Sequence, residues 1–185
     1  MQKILIIYHS GAGSTKTIAE IYDKLLDKYE TDILPVNPSF DYTLLDKYDL
    51  LILGFPCYHC EASSLMNEFI NKMPVLPQKK KAFTFVTYGL YAGNTLRGFI
   101  KKCRSKNIFI QDYADYRSPA TDGSLLLPAF KLMYTYEKKI ATNILKDIRK
   151  VKDILSTVNF NYKLPHFKLS NREELLNNYF ETIFG

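Results

Sequence analysis

No apolar run in the 185-residue chain approaches the roughly 20 residues that a membrane span requires. Cysteine is scarce. Cys57, Cys60 and Cys103 are too few for the disulfide framework of a small secreted domain. The chain enters the strand-like KILIIYHS almost at once, without a cleavable signal pattern, so a cytoplasmic location is expected. C2H2 zinc-finger spacing, basic-region heptads and an RNA-binding aromatic box are all missing. The net charge of +6 therefore reads as a lysine-rich solvated surface, and neither a nucleic-acid nor a membrane partner is expected. What remains is ordinary for one globular domain with a sizeable core: 46% apolar residues and 24% charged ones.

Strand-like and helix-like stretches alternate along the chain. KILIIYH (3–9) is a short β-rich run, and residues 14–28 place Ile18, Ile21, Tyr22, Leu25 and Leu26 at helical spacing. TDILPV (31–36) reads as a second strand, with Pro35 assigning it to a sheet edge. YDLLILGFP (48–56) is apolar through its middle, as a strand covered on both faces should be. Residues 63–73 suggest a short helix, KAFTFVTYG (81–89) a fourth strand, 92–106 a helix and NIFIQDYADYR (107–117) a fifth strand. An amphipathic pattern from about 129 to 155 predicts a long helix whose inner side includes Phe130, Met133, Tyr134, Ile140, Ile144, Ile148, Val151 and Leu155. The expected class is α/β: a five-stranded parallel sheet with helices on both faces. Residues 156–185 read as a loop-like extension and a terminal helix. Ser170 and Glu173 form its capping box, and its apolar face docks on the domain or meets a second subunit.

The segment SGAGSTKT, Ser10 to Thr17, follows the first strand and opens the first helix. Ligands of open parallel sheets bind at the carboxyl ends of the strands. A helix N-terminus there offers unpaired N–H groups and partial positive charge, which suit a phosphate. Gly11 and Gly13 let the main chain approach an anion, and Ser10, Ser14, Thr15 and Thr17 add hydroxyls. Gly11 and Gly13 are too close together for a P-loop, and Lys16 stands where the dinucleotide fingerprint needs its third glycine. A phosphate monoester held by hydroxyls and amides is one reading; a glycine-bearing turn with Ser14 as an ordinary N-cap is the other.

Two further loops leave the same sheet end. GFPCYHCEA (54–62) carries Tyr58, and TYGLYAGNTLRGF (87–99) carries Tyr88 and Tyr91 with Gly89 and Gly93. Aromatic rings beside free loop amides suit a flat heteroaromatic ligand. Cys57-x-x-Cys60 admits a redox dithiol or simply two small residues in a ligand loop. Zinc would need more ligands, and Cys103, His9 and His166 are scattered. No nucleophile–base pair is apparent, so no catalytic residue and no metal ligand is assigned.

On these motifs the chain resembles the flavodoxin family over about residues 1–155. SGAGSTKTIA is similar to its FMN phosphate loop, YDLLILGFPCY to its third strand and flavin loop, and TYGLYAGNTLRGF to its fourth-strand loop. It especially resembles the flavodoxin half of flavodoxin–ferredoxin fusion proteins of anaerobic bacteria. The resemblance implies strand order 2-1-3-4-5 and FMN as cofactor. Ser10, Ala12, Gly13, Ser14 and Thr15 would surround the phosphate. Pro56, Cys57, Tyr58, Thr87, Tyr88, Gly89, Gly93 and Asn94 would lie about the ring. Ala12 replaces the usual hydroxyl residue, leaving its N–H alone to serve. Tryptophan is absent, so stacking falls to tyrosine, and the basic charge departs from the acidic character of many electron-carrier flavodoxins. The implied role is an electron carrier with a separate redox partner, a ferredoxin or reductase, acidic by charge complementarity. The rival roles are an FMN-dependent NAD(P)H reductase of a quinone or other small acceptor, and a binding module that keeps the fold without FMN.

Overall fold

Ile4 to Ile7 form the middle of β1 (Lys3–Tyr8), and all are fully buried. Such a run has no polar face to turn toward water, so β1 must sit inside a sheet covered on both sides. The computed structural model, which describes residues 1–89, 92–119 and 135–160, places it there. In chain order come α1 (Ser14–Leu25), β2 (Glu30–Pro35), a 3₁₀ helix (Tyr42–Lys47) and β3 (Leu50–Tyr58). They are followed by β4 (Glu61–Ala62), α2 (Ser64–Lys72), β5 (Lys80–Tyr88), α3 (Thr95–Arg104), β6 (Ile108–Arg117) and α4 (Ile140–Ser156). The hydrogen-bonded order is β2-β1-β3-β5-β6, and every pairing along it is parallel. This is the expected doubly wound order, with Pro35 on an edge strand. The sixth strand, β4, is a two-residue antiparallel addition to β3.

Alternation along each strand feeds two cores. Leu5, Ile7, Leu51, Leu53 and Phe55 pack with Met66 and Phe69 of α2 and Leu96 and Phe99 of α3. Ile4, Ile6, Leu50 and Ile52 pack with Ile18 and Tyr22 of α1 and Ile144, Ile148 and Val151 of α4. The three layers are thus α1 and α4, the sheet, and α2 and α3. In β6 the register skips Gln111, because Ala82 pairs with Ile110 and Phe83 with Asp112. The bulge reverses side-chain parity. Ile108 and Ile110 face the first core, but Ala114 and Tyr116 face the second. There Tyr116 Oη lies 2.7 Å from Tyr22 Oη and donates to Asp147 Oδ2 at 2.7 Å, tying β6 to α1 and α4.

The long helix begins later than its pattern suggests. Phe130, Met133 and Tyr134 lie outside the described residues, as do the terminal helix and its capping box. From Thr135 to Lys139 the chain is not helical. The Glu137 N–H donates to the Arg117 carbonyl (3.1 Å), and Arg117 Nη1 donates to the Thr135 carbonyl (3.1 Å). Main chain engaged with the end of β6 cannot also start a helix, and α4 opens at Ile140.

Candidate functional site

The carboxyl ends of β1, β3 and β5 adjoin in the sheet, so their loops share one rim. The first loop is shaped by Gly13, the N-cap of α1, at φ 94°. That left-handed backbone suits glycine alone among common residues without strain. The Gly13 N–H donates to Ser10 Oγ (3.1 Å), and the Thr17 N–H donates to the Gly13 carbonyl (2.9 Å). The first-turn N–H groups of α1 have no partner within the helix, as at any helix start, and they open at this rim. Ser14 is therefore helical and does not cap. Its hydroxyl donates to the Pro119 carbonyl, 3.0 Å away beyond the end of β6. Thr15 points inward, its Oγ1 2.8 Å from Thr87 Oγ1. Gly11 and Ala12 are exposed.

The second loop is a tight β-hairpin. Tyr58 pairs with Glu61 and Cys57 with Ala62, leaving His59 and Cys60 as a two-residue turn. Both have positive φ, 49° and 58°, the pattern of a type I′ turn, although neither is glycine or asparagine. The absence of that dipeptide signature is why the hairpin was not legible in the sequence. It also decides the cysteine pair: Cys57 lies in the strand and Cys60 at the turn, rather than at the start of a helix. Cys57 Sγ sits 3.1 Å from Thr95 Oγ1, Cys60 is exposed, and burial of its sulfur raises the Cys60 thiol pKa. Among the described residues no cluster of potential metal ligands occurs.

The three loops are joined pairwise. Tyr58 Oη rests against Gly11, at 2.5 Å from where a β-carbon there would stand. His9 Nδ1 lies 2.9 Å from Ser63 Oγ, and the His9 N–H donates to the Gly54 carbonyl. Ser63 is fully buried, and its own N–H donates to the Pro56 carbonyl at 3.1 Å. Partial burial lowers the His9 pKa and favours neutral imidazole. Cys57 Sγ also reaches the Ala92 carbonyl (3.6 Å), linking the second loop to the third. In the third loop Tyr88 is half-buried, and its carbonyl accepts from the Ser118 N–H (2.9 Å). Gly93 has φ 52°, and Asn94 is the N-cap of α3 without capping it by its side chain. Tyr91 lies outside the described residues. Ser63, Thr95 and Pro119 join the site unannounced by any motif, because their partners are distant in sequence.

The rim therefore offers the start of α1, with first-turn N–H groups free of helical partners, flanked by two loops bearing Tyr58 and Tyr88. The family model described as the flavodoxin domain matches residues 5–113, more than half of the chain. No curated protein matches the chain significantly. Among solved structures, oxidised flavodoxin 1 from Bacillus cereus is similar at 17% identity and TM-score 0.62, covering 85% of this chain and 100% of that one. Fusobacterium nucleatum flavodoxin bound to flavin mononucleotide gives 16% identity and TM-score 0.58, over 83% of this chain and 98% of that one. An NADPH-quinone reductase from P. pentosaceus gives 14% identity and TM-score 0.56, over 82% and 97%. At such identities these likenesses establish the fold alone.

Proposed function

The chain belongs to the flavodoxin family, and we propose that it binds FMN and carries electrons between redox proteins. The observation that carries this reading is the Gly13 turn, which opens α1 toward the two tyrosine-bearing loops. The residues fit the cofactor. The amides of Ala12, Ser14 and Thr15 and the Ser10 hydroxyl would hold the phosphate around the turn that Gly13 makes. Tyr88 and Tyr58 border the ring, with Pro56, Cys57, Thr87, Gly89, Gly93 and Asn94 around them. When bound, FMN supplies one- and two-electron chemistry. The protein supplies position, exclusion of water and electrostatics. Main-chain groups of the His59–Cys60 turn, within the ring-side loop, would tune the potentials of a bound flavin. Backbone strain at positive φ persists only where surrounding contacts enforce it. Here those contacts are Tyr58 on Gly11 and Cys57 on Thr95.

We assign the FMN-binding unit to residues 1–155. No described helix is long and apolar enough to cross a membrane; the proposed location is the cytoplasm. Among family members the reading favours kinship with the flavodoxin half of flavodoxin–ferredoxin fusions, with an iron–sulfur module as the electron partner. A second reading, an FMN-dependent NAD(P)H reductase of a quinone, is favoured by the likeness to the P. pentosaceus reductase.

FMN titration tests the proposal: the mixture should turn into a stoichiometric complex with quenched flavin fluorescence. Gly13→Asp places a carboxylate against the phosphate and a side chain on left-handed backbone. FMN affinity should fall about 10- to 100-fold while riboflavin loses at most a few-fold. Equal losses for both ligands would sink the phosphate assignment. A complex that consumes NADPH with a quinone would favour the reductase; one inert to NADPH yet reduced by a ferredoxin is the expected result.

A further inference from the structure

Behind the 57–62 hairpin lies a second concavity, a groove of about 390 Å³ between the hairpin, α2 and α3. Arg97, Lys101 and Lys102 form its α3 wall, and among the described residues Glu61 is the only carboxylate lining it. Helix α3 itself contains no acidic residue. Among the described residues no carboxylate lies within ion-pairing distance of Arg97, Lys101 or Lys102. Arg97 and Lys101 stand four residues apart, a spacing at which like charges repel on a helix. One of these cations is held in place. Lys102 Nζ donates to Asn67 Oδ1 (2.9 Å), and Asn67 Nδ2 donates to the Ala62 carbonyl (2.6 Å) on the hairpin.

Gly98 supplies an independent sign. It lies inside α3, where glycine weakens a helix relative to alanine. A β-carbon there would meet nothing within 4 Å, so packing does not require the glycine. The missing side chain leaves room in the groove between Arg97 and Lys101, while the Gly98 N–H is spent on the Asn94 carbonyl (3.1 Å). Cations without a carboxylate partner, one of them anchored, and the room left by Gly98 in one groove describe a receptor for an anion larger than chloride.

We propose that this groove binds the diphosphate group of a nucleotide-sized small molecule. Arg97, Lys101 and Lys102 take the phosphates, and the remainder of the ligand lies over Gly98. The site is separate from the loop at Ser10–Thr15, and its proposal does not depend on the reading of that loop. Cys60 and Asn94 also line the groove, so its occupant touches the same two loops that border the rim.

The test is calorimetric titration of the full-length protein in excess FMN, with sodium pyrophosphate, ADP and, as a control for nonspecific anion binding, sodium sulfate. Pyrophosphate and ADP should each bind near one equivalent, with ADP at least as tight and sulfate at least about tenfold weaker. Arg97→Glu combined with Lys101→Glu should lower ADP affinity by about tenfold or more while FMN affinity stays within about twofold. Gly98→Ala should raise the thermal midpoint and yet weaken ADP, a pairing that a merely structural role would not give. ADP binding that is absent, no tighter than sulfate, or unchanged in both variants would overturn the proposal. Loss of binding to an acidic protein in the double variant, with no ADP binding in the parent, would also overturn it, making the groove a protein docking face.

Discussion

Gly54 and His9 show how single positions carry the rim. A β-carbon on Gly54 would stand 2.2 Å from Phe85 Cζ and under 3 Å from two more atoms of the same ring. Phe85 is fully buried, stacked on Tyr22 at 5.3 Å between ring centroids, so it has nowhere to move. Gly54→Ala should therefore cost about 1–3 kcal/mol or more through overpacking, read as a lower urea midpoint; an unchanged midpoint would mean that the ring can shift. His9 gives a pH dependence. Burial lowers its folded-state pKa, so the folded form binds the proton less readily than the unfolded chain. Its contribution is fully present above the ordinary histidine range. Stability is lost as pH falls through that range toward the lowered folded-state value. In thermal melts from pH 8 to pH 5 the parent should show this acid-side loss, and His9→Asn, which keeps a polar partner for Ser63, should show less of it. Identical pH slopes would assign the loss to other groups.

Among the elements, the hairpin at residues 57–62 departs most from what its sequence announces. Strands of continuous Ile, Leu and Phe were legible because burial on both faces leaves one reading, and Pro35 marked the edge correctly. The hairpin was not legible, since His-Cys is a poor type I′ dipeptide and only the flanking contacts hold it. The parity reversal at Gln111 was equally hidden: a bulge is set by the partner strand, not by local composition. The same holds for the start of α4, where amphipathic spacing runs on but tertiary hydrogen bonds claim Thr135 and Glu137 first. The hairpin yields a prediction at its own scale. Replacing His59-Cys60 by Asn-Gly supplies residues suited to positive φ at both positions and should stabilise the fold by up to about 1 kcal/mol. A lower thermal midpoint in that variant would show that the two side chains make contacts outweighing their backbone strain.

For the whole molecule, the parallel α/β class followed from chain-wide alternation, the strand order from the resemblance of the motifs, and the candidate site was placed by the rule that ligands bind at carboxyl strand ends. Where the positive charge is available did not follow. Lys79 to Lys81 look like surface decoration in sequence, yet Lys80 Nζ donates to the Tyr48 carbonyl (2.7 Å) and Lys81 Nζ to the Ile154 carbonyl (3.3 Å). Burial lowers the Lys80 pKa. These lysines fasten the far end of the sheet. Helix α3 begins where the 87–94 loop ends and carries no acid, but only Arg97 is in its first turn; Lys101, Lys102 and Arg104 are in the last turn, away from the rim. A net charge of +6 should draw acidic redox proteins from a distance. Such attraction reaches only about a Debye length, roughly 30 Å at 10 mM salt and 8 Å at 150 mM. In stopped-flow reduction of the FMN-loaded protein by an acidic iron–sulfur protein, the second-order rate constant should therefore fall about tenfold or more across that salt range. The first-order electron-transfer step, reached at saturating partner, should change little, because salt weakens encounter and leaves the docked geometry alone. A second-order constant indifferent to salt would mean that the net positive charge does not steer the partner, whatever the flavin does once the two meet.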